Sequence, residues 1–93
     1  MAELDEKFLK SLELKLDETT EWPSVYMFKF IIPAENRKIA LTEALFEEEA
    51  QIFTKESRGG KYISITTKIV MLNALEVIEI YRRAAKIEGL IAL

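Results

Sequence analysis

The sequence predicts an α+β domain in which a four-stranded antiparallel sheet carries two helices on one face, behind an additional N-terminal helix. Two observations predict this class. Residues 25–32 are β-branched and aromatic as in a central strand, residues 62–70 alternate as in a β-strand, and a glycine turn leads into the second of these strands. Segments with helical periodicity follow both strands and complete the order βαββαβ.

The N-terminal residues predict a short amphipathic helix followed by a connector. Apolar side chains recur at helical spacing over residues 4–14, and charged side chains occupy the other side. Residues 17–21 are polar and without pattern, and Trp22-Pro23 then favours extended chain. The apolar stripe of this helix consists of Leu4, Phe8, Leu9 and Leu12.

The first strand is predicted at residues 25–32, and a helix is predicted after it. The strand is β-branched and aromatic, and both of its faces are apolar enough for the centre of a sheet. Pro33 ends it, and Asn36 is positioned to cap a helix that runs to Phe46, just before three consecutive glutamates. One face of the strand carries Tyr26, Phe28, Phe30 and Ile32, and the other carries Val25, Met27, Lys29 and Ile31.

A hairpin joins the second and third strands, which are predicted at residues 51–56 and 62–70. Gly59-Gly60 tolerates the positive φ angles of a tight hairpin turn. Alternation in the third strand sorts its side chains onto two faces. Ile63, Ile65 and Ile69 face inward, and Tyr62, Ser64, Thr66 and Lys68 face outward.

The last helix and strand complete the domain. Asn73 followed by Glu76 is a variant of the capping box, and Gly89 is positioned to end the helix before a strand at residues 90–93. The order is the ferredoxin-like plan, in which the first and third strands are central. We therefore assign residues 1–20 to the N-terminal helix and connector, and residues 21–93 to a ferredoxin-like domain. The stripe of the last helix consists of Ala74, Val77, Ile78, Tyr81 and Ala85.

Two motifs make the chain similar to a known family. An aromatic-Pro step precedes an aromatic strand that contains a lysine, and the hairpin carries the pattern Ser-x-x-Gly-x-Tyr-x-Ser. On these motifs, residues 21–93 resemble the YbeD-like family (domain of unknown function 493), a bacterial group of small proteins of unknown function. The residues that carry the motifs are Trp22, Pro23, Tyr26, Met27, Phe28, Lys29, Phe30, Ser57, Gly60, Tyr62 and Ser64.

The resemblance implies a ferredoxin-like fold similar to the ACT regulatory domains, which bind amino acids and control metabolic enzymes. It therefore implies a regulatory role, in which a small ligand is one option. This is an analogy of fold, and fold by itself does not transfer function. The chain departs from the ACT pattern at residues 32–36, which contain no glycine to let backbone amides close around an amino acid.

Composition excludes several classes of chemistry. The 93 residues are 49% hydrophobic and 31% charged, which is typical of one globular domain. The net charge of −3 disfavours nucleic acid as a partner, and the absence of cysteine and histidine removes thiolate, imidazole and the usual zinc chemistry. The acidic N-terminus does not resemble a secretory signal, and the apolar runs are too short to cross a membrane. We expect a cytoplasmic protein without cofactor or metal.

Three other interpretations have weaker support. A phosphate site at residues 58–61 lacks a following helix, and a nucleic-acid surface lacks one of its two aromatic platforms. The glutamates at residues 47–49 point in different directions along a helix, and the hydroxyl and amine groups near the hairpin have no visible base. The nucleic-acid residues are Arg58, Lys61, Tyr62 and Lys68, and the catalytic candidates are Ser57, Lys61, Tyr62, Ser64 and Lys68.

The outward face of the sheet is the surface that the sequence favours for function. It is too apolar to be left wholly in water, so we expect the N-terminal helix, a second copy or a protein partner to cover it. The terminal strand is a sheet edge, which offers strand addition as a further route. We predict a non-enzymatic regulatory or adaptor domain whose candidate partner or ligand surface consists of Met27, Lys29, Arg58, Gly60, Tyr62, Ser64 and Lys68.

Overall fold

The computed structural model of the chain describes residues 4–93. The first three residues of the predicted N-terminal segment lie outside this range. The predicted α+β class and the order βαββαβ after an initial helix are confirmed. The elements are α1 (Glu6–Thr19), β1 (Ser24–Pro33), α2 (Asn36–Glu43), β2 (Gln51–Glu56), β3 (Tyr62–Met71), α3 (Ala74–Ala84) and β4 (Ile91–Ala92).

The four strands form one sheet in the order β2-β3-β1-β4, and every neighbouring pair is antiparallel. The two long strands β1 and β3 are central and pair from Ser24–Met71 at one end to Pro33–Tyr62 at the other. This is the ferredoxin-like arrangement, and it confirms the prediction that the first and third strands are central. The short β2 and β4 form the two edges of the sheet.

The core lies between the inner face of the sheet and the helices. Phe28 and Phe30 of β1 are fully buried and share a cluster with Val77, Ile78 and Tyr81 of α3. The Tyr81 ring lies 5.2 Å from the Phe28 ring in an edge contact, which is a favourable aromatic geometry. The aromatic side of β1 is therefore the buried side, as its composition predicts.

Helix α1 packs on this same inner side. Asp5 caps it by accepting a hydrogen bond from the Phe8 amide at 2.8 Å, and Leu9 is fully buried in the cluster that holds Phe28 and Phe30. An ion pair of 2.9 Å between Glu6 and Arg82 joins α1 to α3. The N-terminal helix is thus part of the helical layer.

The predicted end of α1 at residue 14 is wrong, because the helix continues to Thr19. Leu16 adds a further apolar contact one turn after Leu12, and both pack against the core. The Thr19 hydroxyl donates to the Lys15 carbonyl at 2.7 Å within the last turn. Most of the polar stretch that was predicted as a connector is therefore helical.

The predicted cap and end of α2 are also wrong. Glu35 occupies the N-cap position, since its carbonyl accepts the Ile39 amide at 3.0 Å, and Asn36 is the first helical residue. The helix ends at Glu43, and tighter turns then place Leu45 against the core. These turns bury Leu45, which was predicted to lie on a longer α2.

The predicted Asn73 cap of α3 is confirmed. Asn73 accepts the Glu76 amide at 2.9 Å, and the Glu76 carboxylate accepts the Leu72 amide at 2.8 Å. The stripe ends on Ala84, which is buried, whereas the predicted Ala85 is exposed. Ala85 is the C-cap residue of α3, so it lies beyond the last helical residue and does not continue the buried stripe.

Gly89 was predicted to end α3, and this prediction is wrong. Glycine is instead required at this position because the chain returns to the sheet here. Its φ angle is +83°, and a Cβ atom there would lie 2.8 Å from Cγ of Pro33. The following strand β4 is limited to Ile91–Ala92, shorter than the predicted 90–93, although the Leu93 amide still donates to the Lys29 carbonyl. Glycine therefore lets this connection pass close to the end of β1.

Candidate functional site

The outer face of the sheet, which we call the open face, carries exposed apolar side chains. Val25 on β1 is 65% exposed and Phe53 on β2 is 54% exposed, and Met27 and Val70 are similarly accessible. Since α1 packs with α3 on the other side, it does not cover this face. Of the three predicted covers, the N-terminal helix is therefore excluded.

Strand register determines which side chains are neighbours on the open face. Because alternate residues of each strand point to the same side, residues that pair across β1 and β3 also share a face. The central pairs on the open face are Val25–Val70, Met27–Lys68, Lys29–Thr66, Ile31–Ser64 and Pro33–Tyr62. Each central strand thus contributes one lysine to the open face, Lys29 on β1 and Lys68 on β3.

The edge strands widen the open face beyond the predicted surface. Gln51, Phe53 and Lys55 of β2 pair with Lys68, Thr66 and Ser64, so they point to the same side. Ile91 pairs with Ile31 on the other edge. The prediction missed these residues, although the alternation of Gln51, Phe53 and Lys55 in the sequence was a usable signal.

The open face is basic in an acidic protein. Lys29, Lys55 and Lys68 lie on it, and the side chains that alternate onto it from the four strands include no carboxylate. The whole chain has a net charge of −3, so the residues outside these three lysines carry −6. The open face therefore has a local charge opposite to that of the rest of the molecule.

The structure brings most of the predicted surface together. Met27, Lys29, Ser64, Lys68 and Tyr62 all lie on the open face. The other two predicted residues belong to the hairpin turn at its end. These are Arg58 and Gly60.

The hairpin turn is held by its own hydrogen bonds. The Ser57 amide donates to the Tyr62 carbonyl at 2.8 Å, and the Tyr62 amide donates to Oγ of Ser57 at 3.0 Å. Gly59 and Gly60 have φ angles of +89° and +70°, which explains why both positions are occupied by glycine. The Ser57 hydroxyl is therefore engaged in shaping the turn.

The Tyr81 and Ser64 hydroxyls are each engaged in a hydrogen bond. Burial and the hydroxyl of Tyr26, 3.0 Å away, raise the pKa of Tyr81, which lies in the core behind the sheet. The Ser64 hydroxyl donates weakly to the Lys55 carbonyl at 3.4 Å. Among residues 4–93, no three acidic side chains converge to hold a metal ion.

No helix in the described range 4–93 is long and apolar enough to cross a membrane.

Residues 17–93 match the family described as "Protein of unknown function (DUF493)". A UPF0250 protein of Shewanella halifaxensis (strain HAW-EB4) is 32% identical over 82 residues, which cover 84% of this chain and 93% of the relative. A UPF0250 protein of Shewanella piezotolerans (strain WP3 / JCM 13877) is 28% identical with the same coverage. No solved structure matches the chain significantly.

Proposed function

The chain belongs to the DUF493 family, as its resemblance to the YbeD-like proteins predicted, and we propose that it is a non-enzymatic regulatory or adaptor domain. The family is one of unknown function, so the proposal depends on the surface of this chain. The contact surface in this proposal is the open face. The partner that binds there is an acidic and partly apolar segment of another protein.

The observation that carries the proposal is an uncovered sheet face that combines apolar side chains with lysines. Val25, Met27 and Phe53 are exposed there, although large exposed apolar surface is uncommon on a monomer without a partner. Lysine stems can add apolar contact area while their ammonium groups pair with carboxylates. Such a face suits a partner that offers both kinds of group.

The positive charge of the open face favours an acidic partner over a second copy of the chain. A symmetric dimer through the open face would bring Lys29, Lys55 and Lys68 of both copies into one interface. Like charges in an interface are unfavourable, whereas carboxylates opposite the lysines are favourable and also speed association. An acidic partner therefore fits this face better than the chain itself does.

The rival functions have less support from the same surface. The aromatic residues of β1, among them Phe28 and Phe30, point into the core, so single-stranded nucleic acid would find only Phe53 and Tyr62 on the open face. A small ligand of the ACT type remains the alternative that the fold analogy implies. We favour a protein partner because the lysines are spread across three strands, which suits an extended contact.

A defined acidic peptide tests the proposal. The probe is a fluorescent octapeptide of alternating glutamate and valine, and its binding to the full chain is followed by anisotropy at low salt. We expect the double variant Lys29→Glu with Lys68→Glu to weaken binding by about tenfold or more, because two attractive charges become repulsive. Added salt should weaken the wild-type binding as well.

The control variant makes one such lysine-to-glutamate change elsewhere, which is half of the charge change in the double variant. Lys10 is exposed on α1, on the helical side of the molecule, so Lys10→Glu should leave the affinity within about twofold. Absence of peptide binding, or equal losses in Lys10→Glu and in the double variant, would contradict the proposal. Binding of an oligouridine but not of the peptide, lost in Tyr62→Ala, would assign the face to nucleic acid instead.

A further inference from the structure

A second surface lies apart from the open face, in a groove between the end of β3, α3 and the loop that follows α2. The groove has a volume of about 760 Å³, within the range of sites that hold a ligand. Its lining is mainly apolar and includes the exposed side chains of Leu72 and Leu75. Phe46, Ile69 and Ile80 line the same groove. We call it the β3–α3 groove.

A free strand edge borders the β3–α3 groove. Strand β3 extends to Met71, but β2 begins at Gln51, which pairs with Lys68. The last three residues of β3 therefore extend beyond β2. Within residues 4–93, no strand pairs with them on that side.

Hydrogen-bond alternation identifies the backbone groups that are free at this edge. The Ser57 amide donates to the Tyr62 carbonyl across the β2–β3 hairpin, so even-numbered residues of β3 direct their amide and carbonyl toward β2. On the other side, the Ala34 amide donates to the Lys61 carbonyl, so odd-numbered residues bond to β1. Val70 is even-numbered and lies beyond the start of β2. Its amide and carbonyl are thus directed toward the groove.

The next even-numbered amide is already satisfied. The Leu72 amide donates to the Glu76 carboxylate at 2.8 Å. In the register of the hairpin, the residue that would face Val70 is Glu49, and this residue lies outside β2. An incoming strand would therefore find one complete donor and acceptor pair, at Val70.

The rim of the groove favours a cation. Glu47 and Glu49 line it and are exposed. Glu79 also lines it, but this carboxylate is paired with Arg82 at 2.6 Å. The basic residue of the lining, Arg83, directs its guanidinium to the Ala44 carbonyl at 3.4 Å. The rim thus favours positively charged groups, whereas the open face favours negatively charged groups.

We propose that the β3–α3 groove binds an extended peptide of alternating basic and apolar residues, which adds to β3 as a short strand at Val70. Main-chain bonds to Val70 provide the alignment, apolar side chains enter the groove, and basic side chains meet Glu47 and Glu49. Strand addition combines backbone bonding with pockets for alternate side chains, which is the arrangement found here. The inference uses the Val70 backbone and the groove lining, and it does not use the open-face lysines, although the Val70 side chain lies on the open face.

The test uses a fluorescent octapeptide of alternating lysine and valine with the full chain. We expect it to bind more tightly than the matched glutamate and valine peptide to the double variant Lys29→Gln with Lys68→Gln, which removes two lysines from the open face without making that face acidic. The decisive variant is Val70→Pro, which removes the amide directed to the groove while remaining compatible with an edge position. Loss of one backbone bond should weaken binding about fivefold.

The control keeps the Val70 amide. Val70→Thr has a branched side chain of similar size, so it should bind the peptide within about twofold of the wild type. Glu47→Gln with Glu49→Gln changes only exposed side chains, and it should reduce both the affinity and its dependence on salt. These two measurements remain informative even where Val70→Pro disturbs folding.

Three results would overturn the inference. One is equal affinity of Val70→Pro and Val70→Thr, provided that both variants give the circular dichroism spectrum of the wild type. Another is unchanged affinity in the double glutamine variant. The third is a solution mass that rises with protein concentration and returns to the monomer value in Val70→Pro, which would assign the edge to a second copy.

Discussion

The substitution Leu9→Ala tests whether α1 is part of the core. Leu9 is 0% exposed and lies in the cluster that contains Phe28 and Phe30 of β1 and Val77 and Ile78 of α3. Alanine removes buried apolar atoms and leaves a cavity between α1, α3 and the sheet. Stability should therefore fall even though alanine is a good helix former.

The expected loss is large for a domain of this size. Truncation of a fully buried leucine to alanine costs about 2 to 5 kcal/mol, and we take about 3 kcal/mol for Leu9. Small domains have a total stability of about 5 to 15 kcal/mol, so this is a substantial part of it. The same loss corresponds to a decrease in Tm of about 12 to 24 °C.

Urea unfolding followed by fluorescence measures this loss. Trp22 is the single tryptophan of the chain and packs against the core, so its emission reports unfolding. Leu14→Ala is the matched control, because it makes the same change on the same helix at a side chain that is 65% exposed. We expect the control to remain within about 0.5 kcal/mol of the wild type.

The reasoning would be refuted by a loss of less than about 1 kcal/mol in Leu9→Ala, or by equal losses in the two variants. Either result would mean that α1 does not pack with α3 in solution. The N-terminal helix would then again be a candidate cover for the open face, and the acidic-partner proposal would lose its main support. Stability of the helix and availability of the face are therefore tested together.

Two further predictions concern buried and paired side chains. Thr67→Val should raise stability by about 1 kcal/mol in urea unfolding, because the buried Thr67 hydroxyl has no hydrogen-bond partner among residues 4–93. The matched Thr42→Val should lower stability, since the Thr42 hydroxyl donates to the Lys38 carbonyl at 2.8 Å, and equal effects in both would contradict the argument. Hydrogen bonds from Arg82 lower the pKa of Glu6 below its usual 4.5, so this pair stabilises the fold above that pH and its contribution is lost as the pH falls through the lowered pKa. Unfolding measured between about pH 6 and pH 3 should therefore show a smaller loss of stability in Glu6→Gln than in the wild type, and identical profiles would exclude this role.

Local patterns predicted the strands well because the signals that define them are close in sequence. The alternation at β3 fixed which side chains face inward, and the glycines at positions 59 and 60 fixed the hairpin through their positive φ angles. Helix ends were predicted less well. The ends of α1 and α2 depend on contacts of Leu16 and Leu45 with the core, which the local sequence does not reveal.

The candidate site was predicted in part. Met27, Lys29 and Lys68 were placed on one outward surface from alternation within β1 and β3 alone. Phe53 and Lys55 joined them only through the pairing of β2 with β3. The β3–α3 groove was not predicted, because it forms where a strand, a helix and a loop from distant parts of the chain meet.

The sequence by itself determined the element order, the two faces of the central strands and the similarity to a family of unknown function. Only the tertiary structure decided that α1 lies with α3, that three lysines share the open face and that β3 extends beyond β2. The physical reason is the distance along the sequence over which each effect acts. Periodicity and turn angles act between neighbouring residues, whereas exposure, shared charge and a free strand edge depend on which distant segments pack together.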